Sequence, residues 1–420
     1  MEISILNILV ISQNFYPDNF QINQIVKSWE TMGINVTVLT SLGDYTTGYT
    51  NPKYLHHKNY NESYYGSCVH RVYTIPRHKG AFWRSLNYLS FVLSSSFWSM
   101  ITKKKFDIVY VYELSPVTQI IPAIIYSYFH NHIPIAVYVL DIWPESVKAM
   151  DIKENTLLFF IIHKLSAFLY KHVSGLAVSS PSFKKYLCTV DDVKNKIIFI
   201  PQYHNILNLD NAKLAFKKLN DVTDFVFTGN IGLAQDLETV VLAVNYLVKC
   251  GLGNKFRVHL VGYGSDFNNL LRMVHNNKLD KNIIFYGRQP YCKMINYYKA
   301  ADACLLTLSG KSKIGLTIPS KLQAYMSSGK PIIAAIDGDA QKIIKNSNCG
   351  FYTNAGNYIG LAKKIVEFIR LPNDKKSKLG ENGKNYFIHH YLKKQFNIKT
   401  LEWMSNLIKK NNYLKGDLFI

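Results

Sequence analysis

A lysine at the start of a helix is suited to hold an anion, because first-turn N–H groups and the helix dipole already favour negative charge there. The segment Ile318–Ala334, IPSKLQAYMSSGKPIIA, has that arrangement. Pro319 and Ser320 give a helix start, and Leu322, Tyr325 and Met326 recur at helical spacing. Gly329 ends the helix, Pro331 prevents its resumption, and Ile332–Ala335 is a short apolar run suited to a parallel strand. Lys321, with Ser320 beside it, is therefore the first candidate for a phosphate ligand.

Other residues of the second half could serve the same anion. In VFTGNIGLAQDLETV a strand runs into Gly229, Asn230 and Gly232, and a helix starts near Gln235. Glycines there allow backbone N–H groups to approach phosphate, or simply make a tight turn. Gly262 and Gly264 in VGYG lack the third glycine of a dinucleotide fingerprint, so they are either a turn or a ligand contact. Gly310–Lys311–Ser312 ends like a P-loop, but Leu305 stands where that motif needs glycine, which excludes it. Arg288 in YGRQP follows a strand on the same expected edge and suits a phosphate oxygen.

The first half offers carboxylates. In YVLDIWPE, Asp141 ends an apolar strand and Glu145 begins a helix after Pro144. Glu145 also suits the helix N-terminus on its own account, whereas Asp141 has no such structural reason. The loop NFYPDN follows the first strand, and Tyr16, Asp18 and Gln21 are placed to hold a polyhydroxylated acceptor.

Alternating strand and helix patterns must position these groups. Leu6–Ser12, Asn35–Thr40, Cys68–Ile75, Asp107–Tyr112, Ile133–Leu140, Gly175–Ser179 and Lys196–Ile200 read as strands. A second series follows at Asp224–Thr228, Phe256–Val261, Asn282–Tyr286, Ala303–Thr307, Pro331–Ala335 and Gly350–Thr353. The pattern predicts an α/β chain of two doubly wound parallel sheets, whose ligands lie at strand C-terminal ends. The expected division is 1–201, a linker at 202–220, 221–390, and a basic helical tail at 391–420 packing back on the first domain. Two facing domains then imply a cleft.

Composition narrows the partners. With 420 residues, 48% hydrophobic and 18% charged, the chain reads as globular with more than one core. Net charge is +21, and residues 201–420 carry 31 basic against 15 acidic side chains, so anions are the expected ligands. Six scattered cysteines without a CxxC pair, Cys250, Cys304 and Cys349 among them in or beside apolar runs, read as buried reduced thiols of a cytoplasmic protein. No histidine pair has companion ligands at metal spacing, so no metal is expected. Met1–Ser12 reads as a strand rather than a leader, and no run reaches the length of a spanning helix. Phe82–Met100 and Leu157–Tyr170 are apolar with basic flanks, and fit either buried helices or a face lying on an anionic membrane.

Taken in order, FYPD, DIWPES, FIPQYHN, TGNIG, VGYG, YGR, YYKAADACLLTL and IPSKLQAYMSSGKPIIA resemble the GT-B glycosyltransferases of family 4. The similarity is greatest to bacterial O-antigen, capsule and colanic acid enzymes of the N-acetyl-L-fucosamine transferase (WbuB) type. The resemblance implies sugar transfer from a nucleotide-sugar, UDP-linked, to a lipid-linked oligosaccharide on undecaprenyl diphosphate, with retention and without a cofactor or metal. It implies a peripheral place on the inner face of the plasma membrane. It puts the donor on Gly229, Asn230, Gly232, Gly262, Gly264, Ser320 and Lys321, and the acceptor on Tyr16, Asp18, Gln21, Asp141 and Glu145. Lys321, Arg288 and Asp141 become the catalytic candidates. The chain departs from the family where two glutamates with seven residues between them are usual, since Leu316 and Ala324 stand there. The usual Arg and Lys after the glycine loop fall on Asn230 and Gln235. Other readings stay open at this point: a UDP-sugar 2-epimerase, a non-catalytic nucleotide-sugar sensor, or a nucleic-acid-binding protein, although no nucleic-acid module is visible.

Overall fold

The structure is a computed structural model describing residues 6–43, 45–150, 154–310 and 317–416. The chain forms two compact units, Met1–Ile200 with Asn397–Ile420, and Pro201–Phe396.

The first unit runs β1 (Asn7–Ile11), α1 (Gln21–Thr31), β2 (Asn35–Thr40), β3 (Asn61–Tyr64), β4 (Ser67–Arg71), α2 (Ala81–Ile101), β5 (Ile108–Glu113), α3 (Ile121–Phe129), β6 (Ile135–Val139), α4 (Leu157–Lys171), β7 (Gly175–Val178), α5 (Pro181–Val190) and β8 (Ile197–Phe199). Their sheet order is β3-β4-β2-β1-β5-β6-β7-β8. β1 lies between β2 and β5 in parallel register, Val10 opposite Val38 and Tyr110. Strands covered on both faces need apolar residues at every position, and β1 and β5 supply them.

One strand departs from the sequence reading. β3 pairs antiparallel with β4, Glu62 opposite Val69, so this sheet is not wholly parallel. Its sequence, NESY, carries no apolar alternation to announce a strand. It forms because Tyr65 and Gly66, both at positive φ, close a tight hairpin. Buried Arg71 then clamps the result. Its guanidinium donates to Glu62 Oε1 from Nε (2.9 Å) and Nη2 (2.6 Å), and to the Ser41 carbonyl from Nη1 (2.7 Å). It also donates to the Tyr16 carbonyl (2.5 Å), so the loops after β1 and β2 are tied to the hairpin.

The second unit runs β9 (Thr223–Thr228), α6 (Glu238–Lys249), β10 (Phe256–Val261), α7 (Phe267–Asn276), β11 (Ile283–Phe285), α8 (Met294–Ala300), β12 (Ala303–Thr307), α9 (Ser320–Ser327), β13 (Ile332–Ala335), α10 (Gly338–Ser347), β14 (Gly350–Thr353), α11 (Tyr358–Arg370) and α12 (Asn373–His390). The sheet is parallel, in the order β11-β10-β9-β12-β13-β14. Period-two alternation sorts its two cores. Phe225, Phe227, Leu260, Leu305 and Ile333 face one layer with Val240, Val244 and Ile365. Cys304, Leu306, Ile332 and Ala334 face the other with Leu322, Tyr325 and Phe387.

The last helix, α13 (Lys393–Gly416), is shared between the two units by residue number. Within the first unit, Asn397 donates to Ser28 on α1 (2.7 Å). A side chain at Gly175 in β7 would meet Trp403 and Leu407, which shows how closely this helix lies there.

Two expectations about burial need correction. Cys304 and Cys349 are buried, but Cys250 is exposed at the end of α6. Nor are α2 and α4 ordinary buried helices, since each leaves large apolar side chains in solvent.

Candidate functional site

In the second unit, β9 is the point from which the chain builds in both directions, to β10 and β11 on one side and β12 to β14 on the other. Such a switch point leaves a crevice at the strand C-terminal ends. Lys321 reaches it. A Cβ built on Gly229, just past β9, would stand 2.7 Å from Lys321 Cε, and Gly229 itself has φ +122°. Lys321 Nζ lies 5.1 Å from the centroid of the Phe227 ring. Burial lowers its pKa to about 8, and no carboxylate offsets that effect. The fold therefore holds a desolvated ammonium at the crevice without an acidic neighbour among the described residues, an arrangement that suits an anion.

Tyr325 sets the lysine in place. Its hydroxyl accepts from the Thr228 N–H (3.1 Å), and the Tyr298 hydroxyl bonds Thr228 Oγ1 (2.8 Å). Periodicity marks Tyr325 only as an apolar face residue. Its hydroxyl, one helical turn after Lys321, fixes α9 against the end of β9. Gly329, at φ +68°, ends α9 by donating to the Met326 carbonyl (3.0 Å), as a helix-stopping glycine should.

The glycine loops act differently from expectation. The Gly229 N–H donates to the Val261 carbonyl (2.9 Å), and the Gly232 N–H to Gln235 Oε1 (3.2 Å). Those two amides are spent on the protein and do not cradle phosphate. Gly262 donates to the Gly287 carbonyl (2.9 Å), and a Cβ on it would stand 1.7 Å from the Gly229 carbonyl oxygen. Its glycine is required by the backbone it touches. The close approach at Gly264 is also to the neighbouring loop, at the Ile231 carbonyl. Asn230 keeps an exposed place at the rim, its amide donating to Gln235 (3.2 Å). Ser320 opens α9 exposed. Arg288 is exposed beside Gly287, at the same sheet edge. Gly229→Ala should turn Lys321 aside and strain a positive φ. We expect at least about tenfold weaker nucleoside diphosphate binding, measured by calorimetric titration, together with a lower melting temperature from the strained backbone.

In the first unit Asp141 follows β6 and is half-buried. Its carboxylate accepts from the Ile142 N–H (2.9 Å) and from the hydroxyls of Ser146 and Ser115. Ser115 in turn accepts from Trp143 Nε1 (3.1 Å). Three donors on about four lone-pair sites hold the group still and leave capacity for one more. Glu145 is 3.4 Å from the Tyr186 hydroxyl, which donates to it. Asp18 is a correction: it is buried and accepts from the Tyr45 and Thr46 N–H groups (both 3.1 Å) and from the Thr46 hydroxyl. It ties loops together and does not face an acceptor. Tyr16 stays part-exposed with its ring 5.2 Å from Tyr64, and Gln21 opens α1.

Glu113 is a group that motif reading passed over. It ends β5, is fully buried, and neither carboxylate oxygen has a hydrogen-bond partner. Burial, helped by the nearby Asp141 charge, pushes its pKa well above the ordinary carboxylate range, which favours the neutral acid. Its position, like that of Asp141, is the end of a buried strand, and that placement is the signal that could have found it.

Comparison with known proteins adds the chemistry. Residues 210–386 match the family described as "Glycosyl transferases group 1". This segment is similar to a group 1 glycosyltransferase domain. The probable glycosyltransferase WbjE of Pseudomonas aeruginosa is 23% identical over 240 residues, 55% of this chain and 58% of that protein. The chain thus aligns with less than two thirds of the length of that relative. Sucrose-phosphate synthase of Thermosynechococcus elongatus superposes with a TM-score of 0.73 at 16% identity, covering 96% of this chain and 100% of that one. Anabaena Alr3699/HepE in complex with UDP gives 0.68 at 15%, covering 96% and 100%. The fold is that of the GT-B class, two units each built on a Rossmann-like sheet. In the matched segment, the second expected glutamate position is Ala324, buried in the core against α12. The first, Leu316, lies outside the described residues, as do Lys311 and Ser312.

Proposed function

We propose that the protein is a glycosyltransferase that moves a sugar from a UDP-linked donor to a hydroxyl of a lipid-linked oligosaccharide during bacterial surface polysaccharide synthesis. The observation that carries this reading is Lys321, a desolvated cation without an acidic neighbour among the described residues, at the switch point of the matched segment. Charge develops on the leaving diphosphate as the glycosidic bond breaks. A fixed cation in a dry site stabilises that charge without reorganising. Lys321 takes this role, with Arg288 at the rim, and Asp141 accepts a hydrogen bond from the incoming hydroxyl of the acceptor. Retention of anomeric configuration, an N-acetyl-L-fucosamine donor and an undecaprenyl diphosphate carrier at the inner membrane face are the finer parts of the reading. They rest on the motif resemblance. UDP as the nucleotide is supported by HepE, a neighbour in fold solved with UDP.

Calorimetric titration with UDP, GDP and dTDP tests it. UDP should bind at least about tenfold tighter than GDP or dTDP. Binding of none of the three removes the donor site, and tighter binding of GDP or dTDP removes the UDP assignment.

A further inference from the structure

α2 turns most of its large apolar side chains outward. Those it buries are mixed, Asn87, Ser95 and Ser99 beside Phe91 and Val92. Those it exposes include Phe82, Leu89, Leu93 (61% accessible), Phe97 (62%) and Met100. At about 100° per residue the exposed set falls within an arc of about 120°, one continuous stripe along the helix. α4 does the same at its first two turns, where Leu157 (75%), Leu158, Phe160 and Ile161 face solvent while Ser166 is buried. Both helices pack against the same short turn, Val117–Ile120, which places them on one side of the sheet.

A protein partner and a bilayer are both apolar, and the charges decide between them. Exposed lysines flank the stripes: Lys79 before α2, Lys103, Lys104 and Lys105 after it, Lys164 and Lys171 on α4. Lys164 Nζ lies 5.4 Å from the Phe160 ring, on the flank of the apolar face. The exposed carboxylates near these helices in sequence, among the described residues, are Asp107, which accepts from the Asn7 N–H (2.8 Å), and Glu154, just before α4, so cations outnumber them. An apolar stripe bordered by cations complements the surface of an anionic bilayer. No helix among the described residues is long and apolar enough to cross one.

We propose that the exposed faces of α2 and α4 are a bilayer-contact surface that inserts side chains among anionic phospholipids. The surface also has a direction. Tyr88 on α2 lies within electrostatic reach of Arg77, Arg84, Tyr45 and Asp141. The Arg77 guanidinium sits 4.5 Å over the Tyr45 ring and 5.7 Å over that of Tyr88. α2 therefore carries the apolar stripe on one face and, on another, Tyr88 within electrostatic reach of Asp141, which joins the lipid side to the acceptor hydroxyl. The contact surface stands on the helices alone, and only this last link rests on the acceptor reading above.

Flotation of the full chain with phosphatidylglycerol or phosphatidylcholine vesicles tests the proposal. The chain should float with phosphatidylglycerol, less with phosphatidylcholine, and less at high salt. Leu93→Glu/Phe97→Glu should reduce binding at least about tenfold while circular dichroism and UDP titration stay as in the parent chain. Lys103→Glu/Lys105→Glu should remove the preference for phosphatidylglycerol. Absence of flotation, or flotation untouched by Leu93→Glu/Phe97→Glu, overturns the proposal. So does self-association that this variant abolishes without vesicle binding, which assigns the face to a second copy of the chain. Loss of UDP binding in the parent chain would overturn the donor reading and leave the vesicle result standing.

Discussion

Lys321→Met should lower turnover by about 10²–10³-fold, the range for removing one preorganised donor from a developing anion, without making the protein less stable. Both halves follow from burial. Desolvation lowers the lysine pKa to about 8, from 10.5 in the unfolded chain. Between those two values the unfolded state binds more protons, so below them, at neutral pH, the lysine opposes folding by on the order of 3 kcal/mol. Methionine fills similar space without a charge, and the melting temperature should hold or rise. A lysine kept for the fold predicts the reverse. The measurement is a paired one, initial rate with saturating UDP-sugar and thermal unfolding of the same preparation. Turnover within about threefold of the parent would remove Lys321 from the mechanism. Nucleotide binding should carry the matching pH sign. Diphosphate favours the charged lysine, so affinity falls as pH rises through about 8 and above.

The path from sequence to this site was uneven, and the unevenness has physical causes. The frame of α9 was legible because Pro319, Gly329 and Pro331 act through local backbone geometry. Parallel strands were legible because burial on both faces demands apolar runs. What escaped depends on partners far away in the chain. Gly229 and Gly262 look like phosphate-loop glycines, yet each is needed where backbone meets side chain or backbone. Asp18 has the same composition signal as Asp141, but its loop folds over it while Ser115 and Ser146 leave Asp141 half-open. β3 was invisible because a hairpin turn and Arg71, not its own side chains, make it a strand. The outward apolar arc of α2 was invisible for a related reason. Its apolar content is plain in the sequence, but which arc faces the sheet is set by packing.

The second large effect is expected far from the anion site, at the opposite end of β9. Asp224 is fully buried and receives Arg257 Nη2 (2.8 Å), His259 Nε2 (2.9 Å) and Lys218 Nζ (3.0 Å). Phe216 stacks on the His259 ring at 3.7 Å. With Nε2–H given to Asp224, Nδ1 accepts from the Tyr286 hydroxyl (3.0 Å), an arrangement that suits neutral imidazole. Asp224→Asn leaves part-buried Arg257 without its counter-charge, while Lys218 keeps Asp302 (2.6 Å), and should cost the second unit about 1.5–3 kcal/mol. The pH dependence has a definite sign. Burial raises the Asp224 pKa, but hydrogen bonds from His259 and Lys218 outweigh it and hold the group below its ordinary value. Its contribution is therefore present above about pH 4 and lost as pH falls further. Burial also lowers His259, against the pull of Asp224. Below about pH 6.5 the unfolded chain takes a proton that the folded imidazole resists, so stability declines with acidity there too. The parent chain should lose second-unit stability in both windows. In Asp224→Asn the lower window should disappear and the upper one persist, because His259, without its carboxylate, resists protonation more strongly. Urea unfolding followed across this pH range distinguishes the two. Superimposable profiles for parent and variant would mean that this cluster does not govern the acid limit of the second unit.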